Sequence, residues 1–114
     1  NGTLISFLDR LFYSNGADLR MKVGASIVCA RRGGTTAAMD VLNKYFTINQ
    51  MPVVSSTYWN MVHGNTPDEV KKDLEGMQIA RTIGRNMAYL LKMKAESTVP
   101  VPEKEDKIKF SYIR

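Results

Sequence analysis

Apolar residues recur every three or four positions in three parts of the chain, which is the spacing that an amphipathic helix needs to bury one face. The first helix is predicted over residues 4–12, with Asn1 or Thr3 as its N-cap. Ser14-Asn15-Gly16 is expected to end this helix because these residue types favour turns.

The second helix is predicted to start at Thr35 and to end near Asn49. Its buried face is expected to comprise Ala38, Val41, Leu42, Tyr45 and Phe46. The third helical region is predicted from Thr66 to about Lys94, with a break near Gly76. Its start carries an N-cap threonine, a first-turn proline and a glutamate that completes a capping box. A stripe of small residues in this region is expected to pack closely on a sheet and consists of Gly76, Ala80 and Gly84.

Two short apolar runs between the helices predict strands over residues 23–29 and 51–56. The order helix–strand–helix–strand fits βα units and a buried parallel sheet. Because ligands of open α/β sheets bind beyond the carboxyl ends of the strands, we expect a site at Arg31-Arg32-Gly33-Gly34 and at the helix start that follows. The alternative is a glycine pair that only forms the turn between strand and helix.

Residues 99–114 begin with two closely spaced prolines and are predicted to form an extended tail outside the domain of residues 1–98. Apolar and polar residues alternate over Ile108 to Arg114, as they do in a strand. A solvated tail has no need for apolar side chains such as Phe110. We therefore expect the tail to pack on another surface, that of a neighbouring subunit.

The chain of 114 residues is long enough for one domain and too short for two. Its net charge of +5 invites a nucleic-acid partner, yet the cations are spread along the chain and interrupted by acids. A solvated mixed-charge surface is therefore favoured over a polynucleotide groove, and no nucleic-acid partner is expected. No stretch has the apolar length of a membrane span and no signal-peptide pattern opens the chain, which predicts a cytoplasmic protein without a membrane partner.

The single cysteine excludes an internal disulfide and a cysteine cluster made by this chain alone. Cys29 lies inside the first predicted strand, where a small buried hydrophobe is expected and a reactive thiol is the alternative. His63, the only histidine, is interpreted as a hydrogen-bonded structural residue rather than a proton donor. No carboxylate cluster at ligand spacing accompanies it, so no metal site is predicted.

Three stretches together resemble the flavodoxin-like NADPH-dependent FMN reductase family: residues 1–10, the Arg32-Gly33-Gly34 loop and residues 75–81. The Tyr58-Trp59-Asn60 sequence before His63-Gly64, together with Tyr112-Ile113-Arg114, is similar to a subset of flavoproteins in that family. The Phe7-Leu8-Asp9-Arg10 helix and the Gly33-Gly34 loop together are a moderately specific signal of this family, and either one alone is a weak signal.

This resemblance implies an α/β, flavodoxin-like, three-layer αβα fold in which helices cover both faces of a five-stranded parallel sheet of order 2-1-3-4-5. The chain would supply the C-terminal half, with about two strands and three helices plus the tail. The first three strands and the loop that wraps the FMN phosphate would be absent. We therefore expect a piece of a longer chain, or a companion chain that supplies the rest.

The family also implies FMN as cofactor, NADPH or NADH as electron donor, and a homodimer or tetramer. By analogy, the residues beside the isoalloxazine ring would be Asn1, Gly2, Thr3 and Leu4. Those at its pyrimidine edge would be Ala30, Arg31, Arg32, Gly33, Gly34 and Thr35, with an arginine facing either the reduced ring or the NADPH phosphate. Tyr58 and Trp59 would stack on flavin or nicotinamide, in their own subunit or a neighbour's, or else fill an interface or core.

The implied activity is an FMN-dependent NAD(P)H oxidoreductase that passes a hydride to FMN and on to a small acceptor such as a flavin or quinone. An iron–sulfur flavoprotein is an alternative, with its clustered cysteines before Asn1. A non-catalytic electron carrier of the flavodoxin kind and a fragment that is inactive by itself are also compatible with the resemblance. The two arginines of the Arg31-Arg32-Gly33-Gly34 loop and the bulky Tyr58-Trp59 loop favour the reductase over a carrier, for which an acidic surface is expected.

Overall fold

Two short parallel strands form the centre of the fold in the computed structural model, which describes residues 1–111 except the side chain of Ala17. The elements in chain order are α1 (Gly2–Leu19), β1 (Val28–Ala30), α2 (Thr35–Ile48), β2 (Met61–His63), α3 (Pro67–Lys72) and α4 (Leu74–Glu96). β1 pairs with β2 in the register Val28↔Met61, Cys29↔Val62 and Ala30↔His63. The predicted α/β class with a parallel sheet is confirmed.

The core lies between this sheet and the helices that pack on it. α2 packs against β1, and α4 packs against β2. The buried hydrophobic residues are Met39, Met51, Val54, Met61, Val62, Ile79 and Ile83. Two aromatic contacts join α1 to α2, since the ring of Phe12 lies 5.4 Å from that of Tyr45 and 6.1 Å from that of Phe46.

The first helix is longer than the sequence predicts. Asn1 is its cap, because its Oδ1 accepts a hydrogen bond from the backbone N–H of Leu4 at 2.9 Å. The helix does not end at Ser14-Asn15-Gly16, and that prediction was wrong. Ser14 donates its hydroxyl to the carbonyl of Arg10 at 2.7 Å, so its side chain bonds within the helix instead of opening a turn.

The second predicted strand is displaced along the chain. Gly24 and Val53 form an isolated parallel bridge, and regular pairing resumes only at Val28 and Met61. Between these points the first segment advances four residues, from 24 to 28, and the second advances eight, from 53 to 61. The extra residues form an excursion around Tyr58. β2 therefore lies where the sequence predicts a loop, because polar side chains interrupt the apolar run after Val54.

Cys29 is exposed, so the predicted burial of this side chain in a strand was wrong. The predicted inner face of α2 was also partly wrong, because Ala38 and Val41 are exposed while Thr35 and Met39 are buried. Within the described residues, β1 pairs with a strand along only one of its edges, and that strand is β2. Apolar spacing alone cannot tell which of two apolar stripes on a helix faces the sheet.

The third helical region consists of two helices that meet at Asp73, not at Gly76 as predicted. Thr66 is the cap of α3 and accepts from the N–H of Glu69 at 3.3 Å, as predicted. Glu69 does not complete the predicted capping box on Thr66, because its Oε2 accepts from the N–H of Asn65 at 2.7 Å. Of the predicted small stripe, Gly76 is buried and Gly84 is exposed with no atom within 4 Å of where a Cβ would lie.

The open surroundings of Gly84 lead to a stability prediction. Gly84→Ala is expected to stabilise the fold by about 1 kcal/mol, since alanine restricts the unfolded chain and favours an exposed helix interior. Urea unfolding followed by circular dichroism measures the change in the free energy of unfolding. A loss of stability would contradict the exposed position of Gly84 in α4.

The tail contains no helix or strand between residues 99 and 111. Its first part lies on its own chain, where Arg20 Nη2 donates to the carbonyl of Pro102 at 2.9 Å. Tyr112, Ile113 and Arg114 lie outside the described residues. Packing of the tail on a neighbouring subunit stays a prediction, as does the boundary between residues 98 and 99. Within residues 1–111, no helix is both long and apolar enough to cross a bilayer.

Candidate functional site

The carboxyl ends of β1 and β2 lie beside the start of α2, which is where the sequence predicts the site. The N–H of Gly64, just after β2, donates to the carbonyl of Ala30 at the end of β1 over 3.2 Å. Residues 31–34 connect β1 to α2, and all four are exposed. The loop is therefore anchored at its strand end and open to solvent along its length.

The first turn of α2 has free backbone donors. Gly34 is its N-cap residue with φ 89°, in the left-handed region that glycine tolerates best, and no side chain caps the helix. Thr35 does not cap either, since its side chain is buried and its Oγ1 donates to Met61 Sδ at 3.3 Å. Thr35 is predicted to bind the cofactor, but only its backbone faces the loop. Uncapped N–H groups at a helix start attract negative charge.

The charge of the loop comes from Arg31 and Arg32. Both side chains are exposed, and neither has a hydrogen-bond or ion-pair partner among residues 1–111. Their positive charge adds to that of the helix start. This end of the sheet can therefore bind an electronegative group without first breaking internal ion pairs.

The start of α1 lies next to β1 and α2. Asn1 and Leu4 line an apolar cleft of about 330 Å³ that also contains Val28 and Cys29 of β1 and Ala38 of α2. Gly2 and Thr3 are exposed, and nothing lies within 4 Å of where a Cβ of Gly2 would be. The structure thus places the start of α1, whose residues 1–4 are predicted to bind the cofactor, beside β1. The glycine loop follows the carboxyl end of the same strand.

Tyr58 and Trp59 lie apart from the glycine loop in this chain. Their rings contact each other, with centroids 4.9 Å apart, and both side chains are about half exposed. They line a cleft with Met39 and Asn43 of α2, next to the amino end of β2. Since Asn60 precedes β2 and the loop follows β1, this cleft and the loop lie at opposite ends of the two parallel strands.

Asp73, which the sequence patterns did not single out, joins three elements. Its Oδ2 accepts from the N–H of His63 in β2 at 2.7 Å, and its Oδ1 accepts from the N–H of Gly76 in α4 at 2.9 Å. The N–H of Gly76 and then that of His63 hold the pKa of Asp73 below its ordinary value. His63 Nδ1 lies 3.8 Å from Asp73 Oδ2, beyond hydrogen-bond distance, so the structural role predicted for this side chain stays a prediction. Asp before Leu-Glu-Gly is an N-cap signal that could have placed this boundary.

The described part of the chain contains no group of three or more histidine, cysteine, aspartate or glutamate side chains that is placed to hold a metal ion. The chemistry available at the loop is therefore binding through N–H groups and arginines. Among residues 31–34, which are two arginines and two glycines, no side chain can serve as a nucleophile with its base.

Residues 1–66 match the family model described as NADPH-dependent FMN reductase. The chain is also similar to a curated protein, the iron–sulfur flavoprotein MJ1083 of Methanocaldococcus jannaschii, at 29% identity over 85 residues. That alignment covers 68% of this chain and 44% of the relative, so the chain spans less than half the length of the relative it matches. No solved structure matches the chain.

Proposed function

Because this chain belongs to the NADPH-dependent FMN reductase family, we propose that it carries part of the site of an FMN-dependent oxidoreductase that takes electrons from NADPH or NADH. FMN, when bound, supplies the hydride-accepting ring, and the protein supplies binding, orientation and charge. The observation that carries the proposal is the uncapped start of α2 beside two unpaired arginines.

The residues of the loop fit an electronegative ring edge. No atom lies within 4 Å of where a Cβ of Gly33 or Gly34 would be, so a planar ring has free access to the backbone N–H groups there. These donors bind the pyrimidine edge, where negative charge increases on reduction. Arg31 or Arg32 opposes that charge or binds the phosphate of the nicotinamide nucleotide.

The start of α1 adds a second wall. Asn1 uses its Oδ1 to cap the helix, so its role is to hold the first turn in place rather than to bind the cofactor with that oxygen. Gly2 leaves room for a ring to approach the backbone. Thr3 and Leu4 complete this wall in the proposal. In this proposal Tyr58 and Trp59 contribute only to the flavin site of another subunit. In their own chain they lie at the other end of the sheet from the glycine loop.

A second candidate function is electron transfer of the iron–sulfur flavoprotein type, which the named relative favours. One cysteine cannot hold such a cluster, so cysteines from outside these 114 residues would be needed. Oxidation of NADPH or NADH in the presence of FMN alone would favour the reductase. Reduction of bound FMN only by a cluster-containing partner would favour electron transfer.

The proposal is tested by the double variant Arg31→Ala/Arg32→Ala. We expect FMN affinity to fall about tenfold, since charge-assisted contacts to the cofactor are lost. Quenching of FMN fluorescence on titration with the chain measures the dissociation constant.

The control is Arg81→Ala/Arg85→Ala, which removes the same charge from exposed positions of α4. If both double variants lose the same affinity, the effect is one of net charge and the loop is not the site. Absence of FMN binding to the unaltered chain would overturn the proposal that this chain holds the cofactor.

A further inference from the structure

An apolar groove runs along the outer flank of α2. It has a volume of about 270 Å³, and its lining residues recur at helical spacing: Val41, Lys44, Tyr45 and Ile48. Val41 is 44% and Ile48 is 77% exposed, so the described part of the chain leaves this α2 groove uncovered. The hydroxyl of Tyr45 donates to Asp9 Oδ1, which holds the ring in place as one wall. Adjoining exposed apolar side chains of this kind are typical of an interaction surface.

The C-terminal tail leaves the fold beside the α2 groove. Arg20 anchors it, because its Nη2 donates to the carbonyl of Pro102 at 2.9 Å while its Nε donates to Gln50 Oε1 at 2.6 Å. Two residues later, Lys104 lines a cleft together with Ile48, which is also part of the groove. The segment that follows Lys104 therefore starts at the end of the groove.

That segment carries a pattern of charge and apolar side chains on one face. Alternate side chains of an extended segment share a face, which groups Asp106, Ile108 and Phe110. The carboxylate of Asp106 has no hydrogen-bond or ion-pair partner among residues 1–111. Ile108 is 94% and Phe110 is 73% exposed. This face of the tail thus offers one negative charge followed by two apolar side chains.

The α2 groove offers the complementary groups. Lys44 is exposed and has no ion-pair partner within the described residues, and the other lining residues supply an apolar wall. Its flexible stem lets the ammonium reach a carboxylate at the rim of the groove. An apolar cavity of about 150 Å³ is enough for one benzene ring, so the groove has room for the ring of Phe110 and the smaller side chain of Ile108.

The spacing of the two partners also agrees. Side chains on one face of an extended segment are about 7 Å apart, and side chains one turn apart on a helix are about 5 to 6 Å apart. An extended segment that lies along α2 therefore keeps successive side chains near successive turns of the groove. Asp106 then faces Lys44 while the two apolar side chains of the tail pack on the apolar wall.

We propose that residues 106–110 of one copy of this chain bind the α2 groove of a second copy. In its own chain Ile108 does not enter the groove, since it is 94% exposed. A second copy presents the same groove, and exchange of an identical segment between two copies is a low-cost route to a two-fold dimer. The proposal names the surface for the tail packing that the sequence predicts, and it does not depend on FMN binding at the glycine loop.

Sedimentation velocity from micromolar to millimolar concentration tests the exchange. The unaltered chain is expected to form a dimer whose fraction rises with concentration. Ile108→Asp is expected to weaken dimerisation about tenfold, because it places an unpaired charge in an apolar groove. The side chain of Ile108 is exposed in the single chain, so this variant is expected to fold normally, which circular dichroism checks. The matched control is Leu74→Asp, which adds the same charge at a 78% exposed apolar position outside the groove and is expected to dimerise like the unaltered chain.

A charge exchange tests the pairing of Lys44 with Asp106. Lys44→Glu and Asp106→Lys are each expected to weaken dimerisation about fivefold, because each brings two like charges together. The variant that carries both substitutions restores opposite charges and is expected to regain the affinity of the unaltered chain. Failure of this rescue would overturn the pairing, since an effect on folding alone gives no recovery.

Cross-linking distinguishes exchange between copies from binding within one chain. Ile48→Cys and Ile108→Cys are prepared as separate chains, each with Cys29→Ser, and are mixed before oxidation. A disulfide that joins one chain of each kind is expected, and the control mixture of Leu74→Cys with Ile108→Cys is expected to give much less of the mixed product.

A chain that stays monomeric over the whole concentration range would overturn the proposal. The same holds for a dimer that Ile108→Asp leaves unchanged, because another surface then forms it. A disulfide that forms only within one chain, in the variant that carries both Ile48→Cys and Ile108→Cys, would place the tail in its own groove and rule out the exchange.

Discussion

Replacing Gly64 by alanine is expected to destabilise the fold by about 3 kcal/mol, because a side chain there has no space. A Cβ at this position would lie 2.5 Å from the backbone nitrogen of Val70 and 3.0 Å from the carbonyl carbon of Glu69. Both atoms belong to the backbone of α3, so a rotamer change cannot relieve the overlap. Gly64 also donates to Ala30, so a shift of this residue disturbs the end of the sheet beside the glycine loop.

The free energy of unfolding in urea measures this loss, and Gly33→Ala is the matched control. No atom lies within 4 Å of where a Cβ of Gly33 would be. The free energy of unfolding of Gly33→Ala is therefore expected to stay within about 0.5 kcal/mol of that of the unaltered chain. Equal stability of the two variants would show that α3 does not lie against Gly64.

Replacing Asp73 by alanine is expected to lower the free energy of unfolding by about 2 to 3 kcal/mol. About 1 kcal/mol is the usual cost of losing an N-cap, here the contact to Gly76 at the start of α4. The remainder, about 1 to 2 kcal/mol, is the cost of leaving the N–H of His63 without its acceptor. If the measured loss is only about 1 kcal/mol, the N-cap contact to Gly76 alone would account for it.

The lowered pKa of Asp73 gives this prediction a pH dependence. Since the pKa is lower in the folded than in the unfolded state, the contribution of the carboxylate is fully present above the unfolded value of about 3.9 and is lost as the pH falls through the folded value. The variant Asp73→Asn keeps an N-cap oxygen but does not ionise in this range. Urea midpoints measured from pH 7 to pH 3 are expected to fall more steeply for the unaltered chain than for Asp73→Asn, and parallel profiles would contradict the role of the ionised carboxylate.

Local signals were sufficient for the features that depend on neighbouring residues. The N-caps Asn1 and Thr66 and the start of α2 at Thr35 follow from short-range capping and from glycine placement. The loop of residues 31–34 was correctly placed between a strand and a helix for the same reason. Its proposed role in cofactor binding comes from the family and from the unpaired groups that the structure leaves there.

Features that depend on distant residues were not predictable. The second strand was expected over residues 51–56, but only an isolated bridge at Val53 lies there and β2 follows later, because the pairing partner of a strand is chosen by the sheet rather than by its own composition. Gly16 was interpreted as a helix end, yet it is a helical residue that faces the Asn49 side chain across the helix pair. Asn60 was part of a loop motif in the sequence, and its unpaired oxygen is visible only once its neighbours are in place.

The sequence by itself therefore determined that this protein has an α/β architecture, where α2 and α3 begin, and that a basic glycine loop follows its first strand. These properties rest on hydrophobic periodicity and capping, which act over a few residues. Only the tertiary structure decided that Cys29 is exposed, that Asp73 joins β2 to α4, and that Tyr58 and Trp59 lie at the far end of the sheet from the loop. Those properties depend on strand register and on contacts between segments that are far apart in the chain, and local patterns do not encode the choice among such contacts.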